Sequence, residues 1–187
     1  MSLLLVLLVL AGLRYGLPAH VRLFAAPALL VCVYAGLTFP DLDQPLPLDH
    51  RSALTHGFAP ALVLTAWPWA RAAAAGLALG LGFHLVADIF PNAMTGYATV
   101  AVPFAGRLDA GSSYVWLIGN AAACGLAGAW LLDRVIDRPP HKLAAFVGTA
   151  LIGLWYLPRV DGGLPALLLL TGLGWLASRA LRIEAAR

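Results

Sequence analysis

The chain has 187 residues, of which 61% are hydrophobic and only 11% are charged, and its mean hydropathy is +0.83. An ordinary soluble domain carries about 25% charged residues, so these values argue against one and favour a lipid bilayer as the main solvent and partner. The net charge of +3 and the pI near 9.2 carry no information about nucleic acid, and we expect no such partner.

The apolar runs predict an all-α fold, a polytopic transmembrane helical bundle of six or seven spans that forms a single integral membrane domain over residues 1–187. Each span needs about 20 mostly apolar residues. The first run is kept as a helix because Arg14 follows its apolar stretch instead of preceding it, unlike a signal peptide. Shorter spans could be tilted or partly re-entrant. The predicted spans are residues 1–17, 22–39, 56–70, 72–90, 114–133, 143–158 and 164–181.

The basic residues indicate how such a bundle would be oriented. With seven spans, nine of the 12 basic residues fall on one side, and only Arg51, Arg107 and Arg159 fall on the other. Cytoplasmic loops carry the excess of basic residues in membrane proteins. We therefore expect the N-terminus outside and the C-terminus in the cytoplasm.

Two polar stretches near the middle of the chain carry the residue types that bind metals. Asp41 and Asp43 follow the second span, and His50 and His56 come shortly afterwards. Carboxylates and imidazoles are ligands of divalent metals. Two simpler interpretations remain open, in which the aspartates cap a helix and the histidines are interfacial polar residues.

His84 and Asp88 are four residues apart near the end of the fourth span, so they share one face of a helix. Ionisable residues within an apolar span are costly, and a functional or paired role is the default interpretation. The alternative is a hydrogen-bonded pair that joins helices. The loop after span two and the end of span four lie on the same membrane face, so the two groups can meet.

Residues 39–104 resemble the YdjM-like family of membrane-bound, metal-dependent hydrolases. The resemblance rests on Pro40-Asp41-Leu42-Asp43, His50-Arg51 with Thr55-His56, His84-x-x-x-Asp88 and Pro103-Phe104. The chain departs from the family at Gln44, where histidine is usual, and by one extra residue between His50 and His56. The resemblance implies one or two divalent ions, zinc or manganese, bound by Asp41, Asp43, His50, His56, His84 and Asp88.

The resemblance also implies hydrolysis by metal-activated water in a bacterial cytoplasmic membrane, with the site on the extracytoplasmic face. Asp49 or Asp43 would act as general base. Arg51 would bind a phosphate or carboxylate with its planar fork, which favours a phosphoester or lipid-linked substrate. Thr55 would cap the third span or orient a ligand.

Two other function classes remain open. Intramembrane aspartate and histidine also mark divalent-cation or proton transporters and channels, although here the acidic residues collect at one face. A non-catalytic membrane protein with a structural metal site would have a closed ligand shell without an open position. The substrate, the metal and its count, and the oligomeric state are not determined by the sequence.

Some further residues have simpler predicted roles. Cys32 and Cys124 lie in apolar spans and are interpreted as packing residues. Asp109 precedes the fifth span and is interpreted as a loop or cap residue, and Asn120 as a polar residue that helps helices to pack. The long segment 91–114 is the candidate substrate-contacting loop.

Overall fold

A computed structural model describes residues 2–15 and 18–185 of the chain. The described chain is mostly helical, which confirms the all-α prediction, and its only strands form one short hairpin. The helices are α1 (Ser2–Tyr15), α2 (Pro18–Gly36), α3 (Ala59–Thr65), α4 (Arg71–Asp88), α5 (Ala110–Val135), α6 (Pro139–Tyr156) and α7 (Gly163–Ala185). The strands are β1 (Ala101–Val102) and β2 (Gly106–Arg107), paired antiparallel.

Six of the seven predicted spans contain a helix of 14 to 26 residues, but the range 56–70 does not. There α3 has only seven residues, so it is about 10 Å long and far too short to cross a bilayer core. Pro68 explains where the helical path stops, because the residue before a proline is driven out of the helical region. Trp67 is accordingly extended, with φ −107° and ψ 116°.

Two helical segments of the described chain, 68–88 and 110–135, are long and apolar enough to cross a membrane. Length and composition are the only criteria here, and the core helix of a soluble protein can also meet them. Of the first segment's apolar stretch 78% is buried inside the protein, against 33% for the second. Six or seven spans were predicted, and only two helical segments of the described chain meet the criteria of length and composition.

Helices α2 and α4 pack with their backbones in direct contact. A Cβ atom added at Gly76 would lie 2.1 Å from the Leu29 carbonyl oxygen, and one at Gly80 would lie 2.1 Å from that of Val33. The order of these contacts shows that the two helices run parallel. Small residues spaced four apart permit such close approach. The packing brings the carboxyl end of α2 beside that of α4.

Helix α4 is the centre of the fold and packs against α5 on its other side. Leu81 and Leu85 of α4 are fully buried, together with Leu117 and Cys124 of α5. Cys32 of α2 is also fully buried, and both cysteines are free thiols. Both cysteines therefore lie inside the packed core, as their predicted packing role requires.

The outward faces of α5, α6 and α7 expose large apolar side chains. These include Val115, Leu126, Trp130, Leu143, Leu151 and Leu168. At the start of α5, the Asp109 carboxylate accepts a hydrogen bond from the Ser112 backbone N–H at 3.0 Å, which confirms its predicted cap role.

The segments that follow α2 and α4 pack together over the carboxyl ends of these two helices. The Ala53 N–H donates to the Ala101 carbonyl at 2.7 Å, and the Ala101 N–H donates to the Arg51 carbonyl at 3.0 Å. Arg107 adds hydrogen bonds to the carbonyl oxygens of Thr99 at 2.6 Å and His50 at 3.1 Å. These contacts fix the loop that carries His50 and His56 against the hairpin.

Candidate metal centre

Three side chains converge where the loop before α3 meets the carboxyl end of α4. His56 comes from the loop, and His84 and Asp88 come from adjacent turns of α4. The Nε2 atoms of His56 and His84 lie 3.4 and 3.5 Å from the same Asp88 oxygen, Oδ2. One ligand atom from each residue lies within 4.8 Å of the others, so this group could hold a metal ion.

The second ring nitrogen of each histidine is directed away from the group. His84 Nδ1 lies 2.8 Å from the Leu37 carbonyl oxygen, which can only accept a hydrogen bond. His56 Nδ1 lies 3.3 Å from Asp43 Oδ2, which is also an acceptor when ionised. These partners assign the proton to Nδ1 in both rings and leave the Nε2 lone pairs facing Asp88. Metal-binding histidines are oriented in this way.

Arg51 determines which oxygen of Asp88 faces the histidines. Its Nη2 donates to Asp88 Oδ1 at 2.8 Å, and its Nη1 donates to the Ala98 carbonyl at 2.5 Å. Arg51 is only 8% exposed. Both Nη atoms of the guanidinium therefore already bind protein atoms. These contacts favour a positioning role for Arg51 over its predicted binding of substrate.

Asp43 lies behind His56 and is only 1% exposed. Its Oδ2 accepts a hydrogen bond from the Ser52 N–H at 3.0 Å, and its Oδ1 lies 3.9 Å from His50 Nδ1. Burial by itself raises the pKa of the Asp43 carboxyl, but the hydrogen bonds from His56 and Ser52, with the two nearby imidazoles, outweigh burial and lower the pKa below its usual value. Asp43 is thus favoured as a carboxylate.

The centre leaves several buried polar atoms without hydrogen-bond partners among the described residues. Only five buried side-chain nitrogen or oxygen atoms of the described chain lack such a partner, and four of them are here: Asp43 Oδ1, His50 Nδ1, His56 Nε2 and Asp88 Oδ2. An unsatisfied buried group costs about 1–3 kcal/mol. A divalent cation would supply the missing partner of the acceptor atoms, and two imidazoles with a carboxylate are a suitable donor set for zinc, iron or manganese.

The remaining predicted site residues lie outside this group of three. Asp41 is half-buried, and its Oδ1 accepts a hydrogen bond from Gln44 at 3.3 Å. Its charge acts on His84, but the contacts of the described residues include no ion pair between them. Asp49 is exposed, with a positive φ of 62°, and the same contacts do not link it to the group. Asp41 as a ligand and Asp49 as a base stay predictions.

The capping interpretation of Thr55 is wrong, because α3 begins at Ala59 with Phe58 as its N-cap residue. Thr55 instead touches a ligand, since its Oγ1 lies 3.2 Å from His56 Nδ1 and donates to the Ser52 carbonyl at 3.2 Å. These two contacts are consistent with the second predicted role of Thr55, which is to orient a ligand.

Residues of α5 and α6 also contact the residues of the centre, and the sequence motifs did not predict most of these contacts. Trp116 Nε1 donates to the His56 carbonyl at 2.8 Å, and the Asn120 Oδ1 accepts from the Phe58 N–H at 2.8 Å. The Tyr156 hydroxyl lies 3.1 Å from His84 Nδ1. The spacing of Trp116 and Asn120, four apart on one face of α5, was the available signal. Nothing comparable pointed to Tyr156.

Comparison with known proteins identifies no relative. The chain matches no family model, no curated protein and no solved structure.

Proposed function

We propose that this chain is a membrane-embedded, metal-dependent hydrolase of phosphoesters, with His56, His84 and Asp88 as the metal ligands. One observation carries the proposal: His56 Nε2 and Asp88 Oδ2, two buried atoms without hydrogen-bond partners among the described residues, converge with His84 Nε2. A purely structural hydrogen-bonded cluster would not leave its central atoms unsatisfied.

The surrounding residues support catalysis over a purely structural metal site. A bound divalent ion in such a centre supplies Lewis-acid polarisation and activates water for attack. A catalytic centre needs an open coordination position, and the side chains of His84 and Asp88 are 10% and 16% exposed, whereas that of His56 is 1% exposed. We favour the buried Asp43 Oδ1 as the proton acceptor over the exposed Asp49, because it lies 3.9 Å from His50 Nδ1 and has no hydrogen-bond partner among the described residues.

The membrane location is part of the proposal. It is supported by the two apolar helical segments, by the apolar outward faces of α5–α7, and by the glycine contacts between α2 and α4. We propose six helical spans, α1, α2 and α4–α7. Because α2 and α4 run parallel, the chain must return across the membrane between them, through the loop after α2 and the short α3. A lipid or lipid-linked phosphoester is then the expected substrate. The bacterial cytoplasmic membrane and membership of the YdjM-like family rest on the motif resemblance alone.

The distribution of charge disfavours a transporter. His84 and Asp88 lie at the carboxyl end of α4, whereas its preceding residues 72–82 are all apolar or glycine. An ion pathway needs polar groups through the depth of the membrane.

Elemental analysis of the purified protein tests the metal centre. Wild type should contain near-stoichiometric zinc, manganese or iron, and His56→Ala should lose it. His141→Ala is the matched control, because His141 lies in the first turn of α6, outside the candidate centre. Absence of metal from wild type, or equal metal in all three proteins, would exclude the centre.

Hydrolysis of a model phosphodiester such as bis(p-nitrophenyl) phosphate tests the activity separately. We expect metal-dependent turnover by wild type and by His141→Ala, and none by His56→Ala. A protein that holds stoichiometric metal but hydrolyses no phosphoester would instead indicate a structural site.

A further inference from the structure

An apolar cavity of about 160 Å³ lies between helices α4, α5 and α6. The helices line it with side chains of α4 (Leu79, Phe83), α5 (Ala129, Leu132) and α6 (Phe146, Ala150). Thr149 of α6 also lines it, but its Oγ1 is itself buried, so the accessible wall consists of apolar atoms. The cavity therefore suits an apolar group and offers nothing to a charged one.

Two side chains of α4 keep this space open. Leu79 and Phe83 are four residues apart and share one face of the helix. A Cβ atom added at Gly128 of α5 would lie 2.7 Å from Leu79 Cγ, and one at Gly153 of α6 would lie 2.6 Å from Phe83 Cε1. Leu79 thus packs against α5 and Phe83 against α6, and the cavity remains between the two contacts.

The size and the surroundings of the cavity restrict what can fill it. Phe146 lines the cavity and is 60% exposed, and Trp130 and Leu151, next to the lining alanines, are 57% and 60% exposed. The cavity therefore opens on the apolar outward face of α5 and α6. A cavity of about 150 Å³ holds one benzene molecule, so a chain of about six carbon atoms fits here. A helix, about 10 Å across, does not.

The cavity lies at a depth that suits the chain of a lipid bound at the metal centre. Phe83 directly precedes the proposed ligand His84 on α4. On α6, Thr149 is seven residues before Tyr156, whose hydroxyl contacts His84, so Thr149 lies about 10 Å along the helix axis from that contact. Half of the hydrocarbon core of a bilayer is about 15 Å thick. A lipid with its phosphate at the centre would therefore have its acyl chain at the depth of the cavity.

We infer that this cavity binds one acyl chain of the lipid phosphoester that the metal centre would hydrolyse. The inference rests on the proposed function and specifies its substrate as a phosphoester that carries a long apolar chain. An empty apolar cavity destabilises a protein in proportion to its volume, because the atoms of its wall lack partners. An acyl chain that fills the space supplies those contacts.

Native mass spectrometry of the protein in detergent, titrated with dioleoyl phosphatidic acid, tests the inference. The same spectra report bound lipid, metal content and oligomeric state. We expect the metal-loaded wild type to bind one lipid, and the chelator-treated protein to bind it more weakly, because the phosphate would lie at the metal.

Substitutions that fill the cavity test its role directly. Ala129→Leu and Ala150→Leu should keep their metal and bind the lipid roughly ten- to hundredfold more weakly, since the added side chain takes the place of the chain. Ala150→Leu is the safer of the two for folding, because Ala150 lies at the exposed edge of the cavity. Ala122→Leu is the matched control, because Ala122 is an exposed residue of α5 outside the lining.

The other outcomes are also decisive. Equal lipid affinity in wild type and the filled variants overturns the inference, as does a wild type that holds metal but binds no lipid. Lipid binding that is unaffected by metal overturns it too, because the chain would then belong to a lipid of the bilayer and not to a substrate. A dimer that Ala129→Leu separates would assign the cavity to a second copy of the chain. A wild type without metal removes the proposed function itself.

Discussion

Arg51 Nη2 lies 2.8 Å from Asp88 Oδ1, and this ion pair leaves Asp88 Oδ2 as the oxygen that faces both histidines. The two side chains come from segments that are 37 residues apart. The Arg51 side chain is 10% exposed and that of Asp88 16%, so the pair is largely shielded from water. Arg51 thereby converts a freely rotating carboxylate into an oriented one.

Arg51→Ala should destabilise the fold and weaken metal binding together. Removal of one partner of a buried ion pair leaves the other charge uncompensated, which costs about 3–5 kcal/mol. Denaturant unfolding and metal titration of the purified variant measure the two effects. Arg134→Ala is the control, because Arg134 lies exposed in the last turn of α5. If Arg51→Ala unfolds like wild type and takes up metal with the same affinity, the positioning role is wrong.

Gly80→Ala should destabilise the protein through the contact of α4 with α2. The added Cβ would lie 2.1 Å from the Val33 carbonyl oxygen, and two backbones must separate to admit it. We expect a loss of about 1–3 kcal/mol in the free energy of unfolding, as for other overpacked sites. Thermal unfolding in detergent measures the change.

The same substitution elsewhere provides the control. A Cβ atom at Gly119 of α5 meets nothing within 4 Å, so Gly119→Ala should stabilise the helix by about 0.5–1 kcal/mol. A Gly80→Ala protein as stable as Gly119→Ala would show that α2 and α4 are farther apart than described.

Asp43→Asn should weaken metal binding about ten- to hundredfold, the usual effect of losing a residue that orients a ligating histidine. The amide can still accept from the Ser52 N–H, but it lacks the charge that faces His56 Nδ1. Metal titration compares this variant with Asp49→Asn, whose exposed carboxylate should be dispensable. Equal losses in the two variants would restore Asp49 to the site and argue against a special role for Asp43.

Metal affinity should fall steeply as the pH decreases from about 7.5 to about 5.5, because protons compete with the metal for the imidazole nitrogens. The sign follows from the ligand state: His56 and His84 bind a metal only when Nε2 is unprotonated, so metal binding releases protons at low pH. Metal titrations at several pH values measure the slope. An affinity that is the same at both ends of this range would exclude imidazole ligands.

The meeting of His56 with His84 and Asp88 could be anticipated because it depends on simple regularities. Residues four apart share a helix face, and the loop after α2 lies at the same end of the bundle as the end of α4. The helical nature of the chain also follows from its long apolar runs. The short α3 could not be recognised from the sequence pattern, since residues 56–70 form a mostly apolar run although Pro68 stops the helix.

The roles within the loop depend on backbone conformation, which hydropathy and spacing do not encode. Asp49 and Arg51 both have positive φ values, 62° and 58°, which non-glycine residues rarely adopt. In an extended segment, residues two apart point to the same side. With these backbone conformations Asp49 is instead exposed and Arg51 is buried. Tyr156 was equally inaccessible, because its approach to His84 spans 72 residues and requires the packing of α6 onto α4.

The glycine contacts between α2 and α4 bear on how the protein would acquire its metal. Because the backbones of α2 and α4 touch at Gly76 and Gly80, the Leu37 carbonyl has a fixed position beside His84 even without a bound ion. Such a preformed ligand cage does not need binding energy to order the chain, unlike zinc fingers, which fold only with metal. The apoprotein should therefore fold unaided and exchange its ion reversibly, so that the metal supply of the compartment decides which ion it carries.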